Sequence, residues 1–207
     1  MKDLPIFTTE FGVSSLTLRQ IPYRGDAYIK VQDVQTDHMD EHLKECASFC
    51  RMAGAERVYA DVGEADVQVL ELRGVAQLEL DKVANIWPVT EQTVSHWREV
   101  VNRRMAGVDL AGFLEAKDEK DIVSSGGAYF VHEEGELLGV GWLDGETLKV
   151  LAAVVPGAGE RVAQTILSVL PGQSVRIEVA STNQKALRLY GKLGFLPVGE
   201  LEHWRKI

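Results

Sequence analysis

The side chains and turns of this chain that can do chemistry fall in two stretches of its C-terminal half and one of its N-terminal half. Pro156-Gly157-Ala158-Gly159-Glu160-Arg161 places a Gly-x-Gly turn before an apolar-periodic segment, Glu160 to Leu170, in which Val162, Ala163, Ile166, Leu167 and Leu170 recur. A strand that runs into such a turn and then a helix offers backbone N–H groups at a helix N-terminus. That suits a pyrophosphate, although the same glycines also serve a plain turn. Ser181 to Phe195 follows an alternating, β-branched strand, Val175 to Ala180, and reads as a helix capped by Ser181, Thr182 or Asn183. Ala186, Leu189, Tyr190 and Leu193 share one face, and Gly194 supplies the left-handed residue that ends it. The Tyr190 phenol can serve as an acid or simply bury its ring, whereas Leu193 and Phe195 read as core. His38, His42, Cys46 and Cys50 recur at i+4 steps on one helix. They span roughly 18 Å and cannot surround one ion, though pairs can, and both cysteines lie on the apolar face, so no metal is expected.

The elements that position these residues form two units, residues 1–76 and 81–207. In the first, Leu16 to Pro22 and Ala27 to Val34 alternate like strands around the turn Arg24-Gly25-Asp26. A helix from Asp40 to Ala53 follows, then strands Arg57 to Val62 and Val67 to Leu72, giving a β-β-α-β-β half-domain. The second unit, starting near Asp81, opens with a strand at Val83 to Val89. Thr90 can cap a helix to Met105 with Val94, Trp97, Val101 and Met105 inward, and a looser helix runs from Leu110 to Ser125. Strands Ala128 to His132, Glu136 to Leu143 and Thr147 to Val155 then turn at Glu133-Glu134-Gly135 and Asp144-Gly145, and Phe195 to Val198 is a further strand. Trp87, Trp97 and Trp142 read as core. The acidic run Glu115 to Asp121 is a solvated face or an attractor of a cationic acceptor.

Composition narrows the function classes. A chain of 207 residues with a formal charge of −9 shows no window of concentrated Lys and Arg, which argues against a nucleic-acid surface and suits an amine substrate. Two cysteines make no disulfide framework and fit a reducing compartment. With no apolar run of membrane-spanning length, the expectation is a cytoplasmic, soluble protein that does not engage membranes.

Asn183-x-x-Ala186-x-x-x-Tyr190-x-x-Leu193-Gly194-Phe195 resembles the C-terminal signature of the GNAT superfamily of acyl-CoA N-acyltransferases. The order of elements over residues 81–207 is similar to that fold. The resemblance implies an α/β (α+β) class, with a mixed, mostly antiparallel central sheet flanked by helices. It also implies acetyl-CoA as cosubstrate and a primary amine of a small molecule or protein as acceptor, which attacks the thioester directly in a ternary complex. It places the pyrophosphate at Gly157, Ala158, Gly159, Glu160 and Arg161, the pantetheine arm along the backbone of Ala153, Val154 and Val155, and a cofactor contact at Asn183 and Ala186. Tyr190 would protonate the departing thiolate, while Glu146, Glu178 or His132 would take the amine proton unless water does. The chain departs from the family in running directly from Pro156 to Gly157, which leaves fewer donors beside Glu160, with Arg161 as the compensating charge. The first unit is similar to part of the second, which suits either a partial repeat or a generic strand-helix-strand unit; its role includes a homodimer contact among the alternatives. Two rival readings remain open: a non-catalytic acyl-CoA sensor or interaction protein of the same fold, and a redox or metal protein using Cys46 and Cys50.

Overall fold

The computed structural model describes residues 2–77, 79 and 83–207; the expected start of a second unit near Asp81 lies outside them. The chain divides into two compact units, Met1–Val69 with Glu200–Ile207, and Leu70–Gly199.

In the first unit the chain runs β1 (Leu4–Thr8), β2 (Gly12–Thr17), the one-turn helix α1 (Ile21–Arg24), β3 (Asp26–Val34), α2 (Met39–Met52) and β4 (Arg57–Ala60), with the end of β11 (Leu196–Lys206) returning to it. Its sheet order is β1-β2-β3-β4-β11. The Arg24-Gly25-Asp26 turn is wound more tightly than its sequence suggests, since Gly25 closes α1 in the left-handed region at φ 70°. β2 and β3 are antiparallel, and α2 carries the chain from β3 to the parallel strand β4. Leu43, Cys46, Ala47 and Cys50 of α2 pack against Leu16, Ile29 and Val58. β3 and β4 pair over four residues, Asp26 to Ile29 against Arg57 to Ala60, and the Val31 N–H beyond them donates to the Asp61 carboxylate at 2.8 Å.

Of the four candidate ligands His38 ends the 3-10 turn Thr36–His38 that precedes α2, and the helix that carries the other three is a packing element. Cys46 and Cys50 are free thiols with no exposure, and burial pushes the Cys50 thiol up to about 11. His42 is fully buried, with Nδ1 2.7 Å from the Thr9 hydroxyl and Nε2 2.7 Å from that of Ser14. Among the described residues no three His, Cys, Asp or Glu side chains are grouped to hold a metal.

The second unit contains the rest of β5 (Val67–Val75), then β6 (Asn85–Pro88), α3 (Val94–Met105), α4 (Glu119–Ser125), β7 (Ala128–Glu133), β8 (Glu136–Asp144), β9 (Thr147–Ala153), α5 (Gly159–Leu167), β10 (Ser174–Ala180) and α6 (Gln184–Lys192). The sheet order is β5-β10-β9-β8-β7-β6, with β6 to β9 antiparallel in succession and β9 parallel to β10. α5 and α6 cover one face. Gly139 and Gly141 of β8 let α5 approach so closely that a Cβ would stand 2.8 Å from Val162 and 2.6 Å from Ile166. α3 and α4 cover the other face, where Trp97, Val101 and Ile122 meet Phe130, Val140 and Ala152.

Several sequence expectations change. α3 begins at Val94, a turn after Thr90, because the Thr90 carbonyl is bonded by the N–H groups of Thr93 and Val94. The helix expected from Leu110 shrinks to a 3-10 turn, Ala116–Asp118, and α4, since Leu110 sits at φ 59° between Gly107 and Gly112. The end of the chain forms one strand, β11, extending past Val198. Trp97 is core with its indole N–H on the Tyr129 carbonyl at 3.0 Å, whereas Trp87 is 61% exposed on β6 and the Trp142 indole bonds Ser125.

Gly141→Ala is expected to destabilise the protein by about 1–3 kcal/mol through overpacking against Ile166, read as a lowered urea midpoint. Burial holds the His42 imidazole below its ordinary range. The unfolded chain therefore takes up a proton that the folded one resists, and stability is complete above about pH 6.5 and declines as the pH falls further. Urea midpoints at pH 7.5 and 5.5 are expected to differ less in His42→Gln than in the parent.

Candidate functional site

The site begins as a departure of two strands. β9 and β10 pair only at Thr147 with Arg176 and Leu148 with Ile177, and part beyond these residues. On its other edge β9 slips register against β8, from Leu143 opposite Leu148 to Trp142 opposite Val150, so Lys149 is an extra, bulged residue. A bulge bends and twists its strand, which accounts for β9 leaving β10 at this point. Past the bulge the Val154 N–H donates to the Leu138 carbonyl at 2.7 Å, and Ala153 faces Gly139. By the alternation of an antiparallel ladder, Ala152 and Val154 turn their main-chain groups toward β8, and Leu151 and Ala153 turn theirs toward the opening. The opening is therefore lined by backbone donors and acceptors of an interior strand.

At its mouth the chain turns into α5. The Val155 N–H reaches the Leu138 carbonyl at 3.4 Å, the Ala158 N–H reaches Val155 at 3.2 Å, and Gly157 takes φ 84°, a conformation that favours glycine. The first bond of the helix ladder runs from the Val162 N–H to Ala158 at 2.9 Å. The amides of Gly159, Glu160 and Arg161 thus lie at the open end of the helix, where the macrodipole favours an anion. Glu160 sits in this first turn, and the Arg161 guanidinium, the expected compensating charge, forms an ion pair with Glu133 at the end of β7. A Cβ on Gly159 would lie 3.6 Å from Leu189, so the start of α5 is beside α6.

α6 begins at the same end of the sheet. The Asn183 side-chain oxygen accepts the Ala186 N–H at 3.2 Å, so both residues are engaged in the cap. Six residues after Gln184 comes Tyr190, buried in the core with its ring edge-on to Phe195 at 6.2 Å. Burial raises the phenol well above its ordinary range, and its hydroxyl has no hydrogen-bond partner among the described residues. The helix closes as the sequence indicates. Gly194 at φ 83° donates to Gly191 at 3.1 Å, and the Phe195 N–H reaches back to Tyr190 at 3.0 Å, the paired bonds of a Schellman motif.

The structure brings Ala153, Val154, Val155, Gly157 to Arg161, Asn183 and Ala186 to one end of this unit. The base candidates do not gather there. Glu146 is exposed in the β8–β9 turn at the opposite end of β9, about 23 Å of strand from Ala153. Glu178 faces outward from β10 and is paired with Arg176 at 2.9 Å, which in turn lies 3.2 Å from Glu71. His132 lies two strands from β9, its ring 6.1 Å from Phe130 and its Nδ1 buried without a hydrogen-bond partner among the described residues.

Sequence reasoning missed three residues. Leu151 was within reach of strand parity once a bulge was allowed. Asp109 and Thr182 carry no local signal: they are 73 positions apart, and the Thr182 hydroxyl donates to the Asp109 carboxylate at 2.8 Å. Asp109 belongs to the α3–α4 connection, which is also fixed where the Asn102 side chain bonds both the N–H and the carbonyl of Leu114 at 2.9 Å.

No protein-family model matches the sequence, and no curated protein matches it. Solved structures do match. A putative acetyltransferase from Pyrococcus horikoshii is 14% identical over 95% of this chain and 69% of its own, with a TM-score of 0.54. An acetyltransferase of the GNAT family from Colwellia psychrerythraea is 12% identical over 96% of this chain and 83% of its own, at 0.52. A functionally unknown conserved protein from Staphylococcus epidermidis is 12% identical over 96% and 91%, at 0.56. At these identities the likeness speaks for the fold, and the fold is GNAT-like.

Asn183→Ala is expected to cost about 1 kcal/mol by removing the α6 cap, whereas Asn183→Asp keeps the accepting oxygen and most of that stability. Thermal melts of the two variants check this.

Proposed function

We propose that the protein is an acetyl-CoA-dependent N-acetyltransferase that acetylates a primary amine of a small molecule or protein in a ternary complex. The observation that carries the reading is the parting of β9 and β10 after two residue pairs, which leaves the main-chain groups of Leu151 and Ala153 facing an opening beside the first turn of α5. An extended amide-bearing arm completes such an edge as an added strand would, and an anion suits the helix end. The donor set therefore fits the arm of coenzyme A. The fit is carried by Leu151 and Ala153, with Gly159, Glu160 and Arg161 toward the diphosphate. Acetyl-CoA, when bound, supplies an acetyl group activated as a thioester of a thiol whose pKa is about 8.5. In this reading one backbone N–H of this edge polarises the carbonyl while the other edge groups hold the arm, and Tyr190, kept protonated by burial, holds the proton that the leaving sulfur requires. The reading includes a cytoplasmic setting, with which the two buried free thiols agree.

A second reading has its own support. The turn is short, Glu160 stands in it, and Arg161 is engaged by Glu133, which favours a non-catalytic acyl-CoA sensor of the same fold. We also read β2–β3–α2–β4 as a partial repeat of β8–β9–α5–β10, because the strand senses and the crossover helix agree.

Isothermal titration with acetyl-CoA, CoA and dephospho-CoA tests the site: micromolar binding is expected, and none at millimolar ligand would remove both readings. Tyr190→Phe then separates them. The enzyme predicts a loss of kcat of about a hundredfold with the acetyl-CoA Kd retained, and the sensor predicts no turnover of amines by the parent.

A further inference from the structure

Thr182 lies two residues past the end of β10, on the side where β9 and β10 part, and Asp109 is bonded to it there. Elsewhere in this unit Glu178 pairs with Arg176, Glu71 with Arg73 and Arg176, and Glu133 with Arg161, while Glu160 stands in the first turn of α5. Asp109 differs. It is half-buried, one oxygen accepts the neutral Thr182 hydroxyl at 2.8 Å, and it has no cationic partner among the described residues. The next residue, Leu110, is held at φ 59°, a left-handed conformation that residues other than glycine adopt at a cost. The connection is thus held in a strained form that presents an uncompensated carboxylate beside the opening, and strain of this kind collects at working sites.

Resting on the acetyltransferase reading, we propose that Asp109 receives the ammonium group of the acceptor, with Thr182 fixing the carboxylate so that its other oxygen meets the substrate. Charge-assisted hydrogen bonds to one oxygen suit a primary ammonium, and the negative chain draws cations toward it. The ammonium held there gives one proton to water before its lone pair forms the new C–N bond. As the C–S bond breaks, the second proton ends on sulfur, so one ammonium and one thioester become one amide, one thiol and one released proton.

The test measures thiol release from acetyl-CoA with butylamine, spermidine and lysine methyl ester, beside calorimetric acetyl-CoA binding, for the parent, Asp109→Asn and Asp109→Glu. The expected result is a rise in amine KM of at least about tenfold in Asp109→Asn. Acetyl-CoA Kd is expected to stay within about twofold of the parent, and Asp109→Glu to recover part of the loss. An unchanged amine KM overturns the assignment. A parallel loss of acetyl-CoA affinity also overturns it, giving Asp109 a role in loop structure alone. Binding of acetyl-CoA by the parent with no turnover of any of the three amines overturns it while leaving the cofactor site standing; failure of the parent to bind acetyl-CoA removes the reading beneath it.

Discussion

A buried strand must find partners for its N–H and carbonyl groups, and among the described residues the edge of β9 toward β10 departs from this requirement. β9 is satisfied by β8 along its length and by β10 at only two residues. The rest of the unit is arranged around that exception. The bulge at Lys149 bends β9 away, α5 leaves from the end of the bent strand, and α6 starts where β10 ends, so two helix starts flank the unpaired edge. The close fit of α5 onto Gly139 and Gly141 keeps the bent strand and its neighbour in place while the other edge stays open.

Many charges of the second unit are arranged by pairing. Arg176 stands between Glu178 and Glu71, and Arg161 is drawn to Glu133 although it stems from the helix turn facing the opening. The polar groups on this side of the unit are thus backbone amides and carbonyls, the neutral Asn183 cap, Glu160 in the first turn of α5, and Asp109 on the Thr182 hydroxyl. Backbone dipoles are fixed by the fold and need little rearrangement to meet a ligand, whereas a paired side chain must first leave its partner.

The sequence made the C-terminal signature legible because each of its residues acts locally. Asn183 caps three residues ahead, Gly194 closes the helix behind it, and Phe195 packs on the same ladder, so short-range chemistry suffices to read them. The parting of the strands was not legible, since it depends on where pairing stops, a tertiary property of two strands separated by a helix. Glu146 and Glu178 show the same limit: their strands were read correctly, but strand membership does not say which end or face a side chain occupies or which arginine claims it. The α3–α4 connection misled because Leu110 to Ser125 carries helical composition while Gly107 and Gly112 release the first part from it. His42, at ligand spacing on a helix from which no metal is expected, shows what takes the place of an ion. A histidine at ligand spacing became a core residue once two hydroxyls from β2 and its approach satisfied both nitrogens.

Strand order and sense in β2–β3–α2–β4 are those of β8–β9–α5–β10, yet the first set has no opening. Its parallel strands stay bridged over four residues, and where the next main-chain donor would look outward, at Val31, the Asp61 side chain accepts it. An internal carboxylate occupies the place a visiting carbonyl would take. The same topology thus exists in this chain once with the strand edge parted after two residue pairs and once with the next donor met by a side-chain acceptor from within. A likeness of fold, between these halves or between this chain and any other, is silent on that difference until the donors along the strand edge have been accounted for one by one.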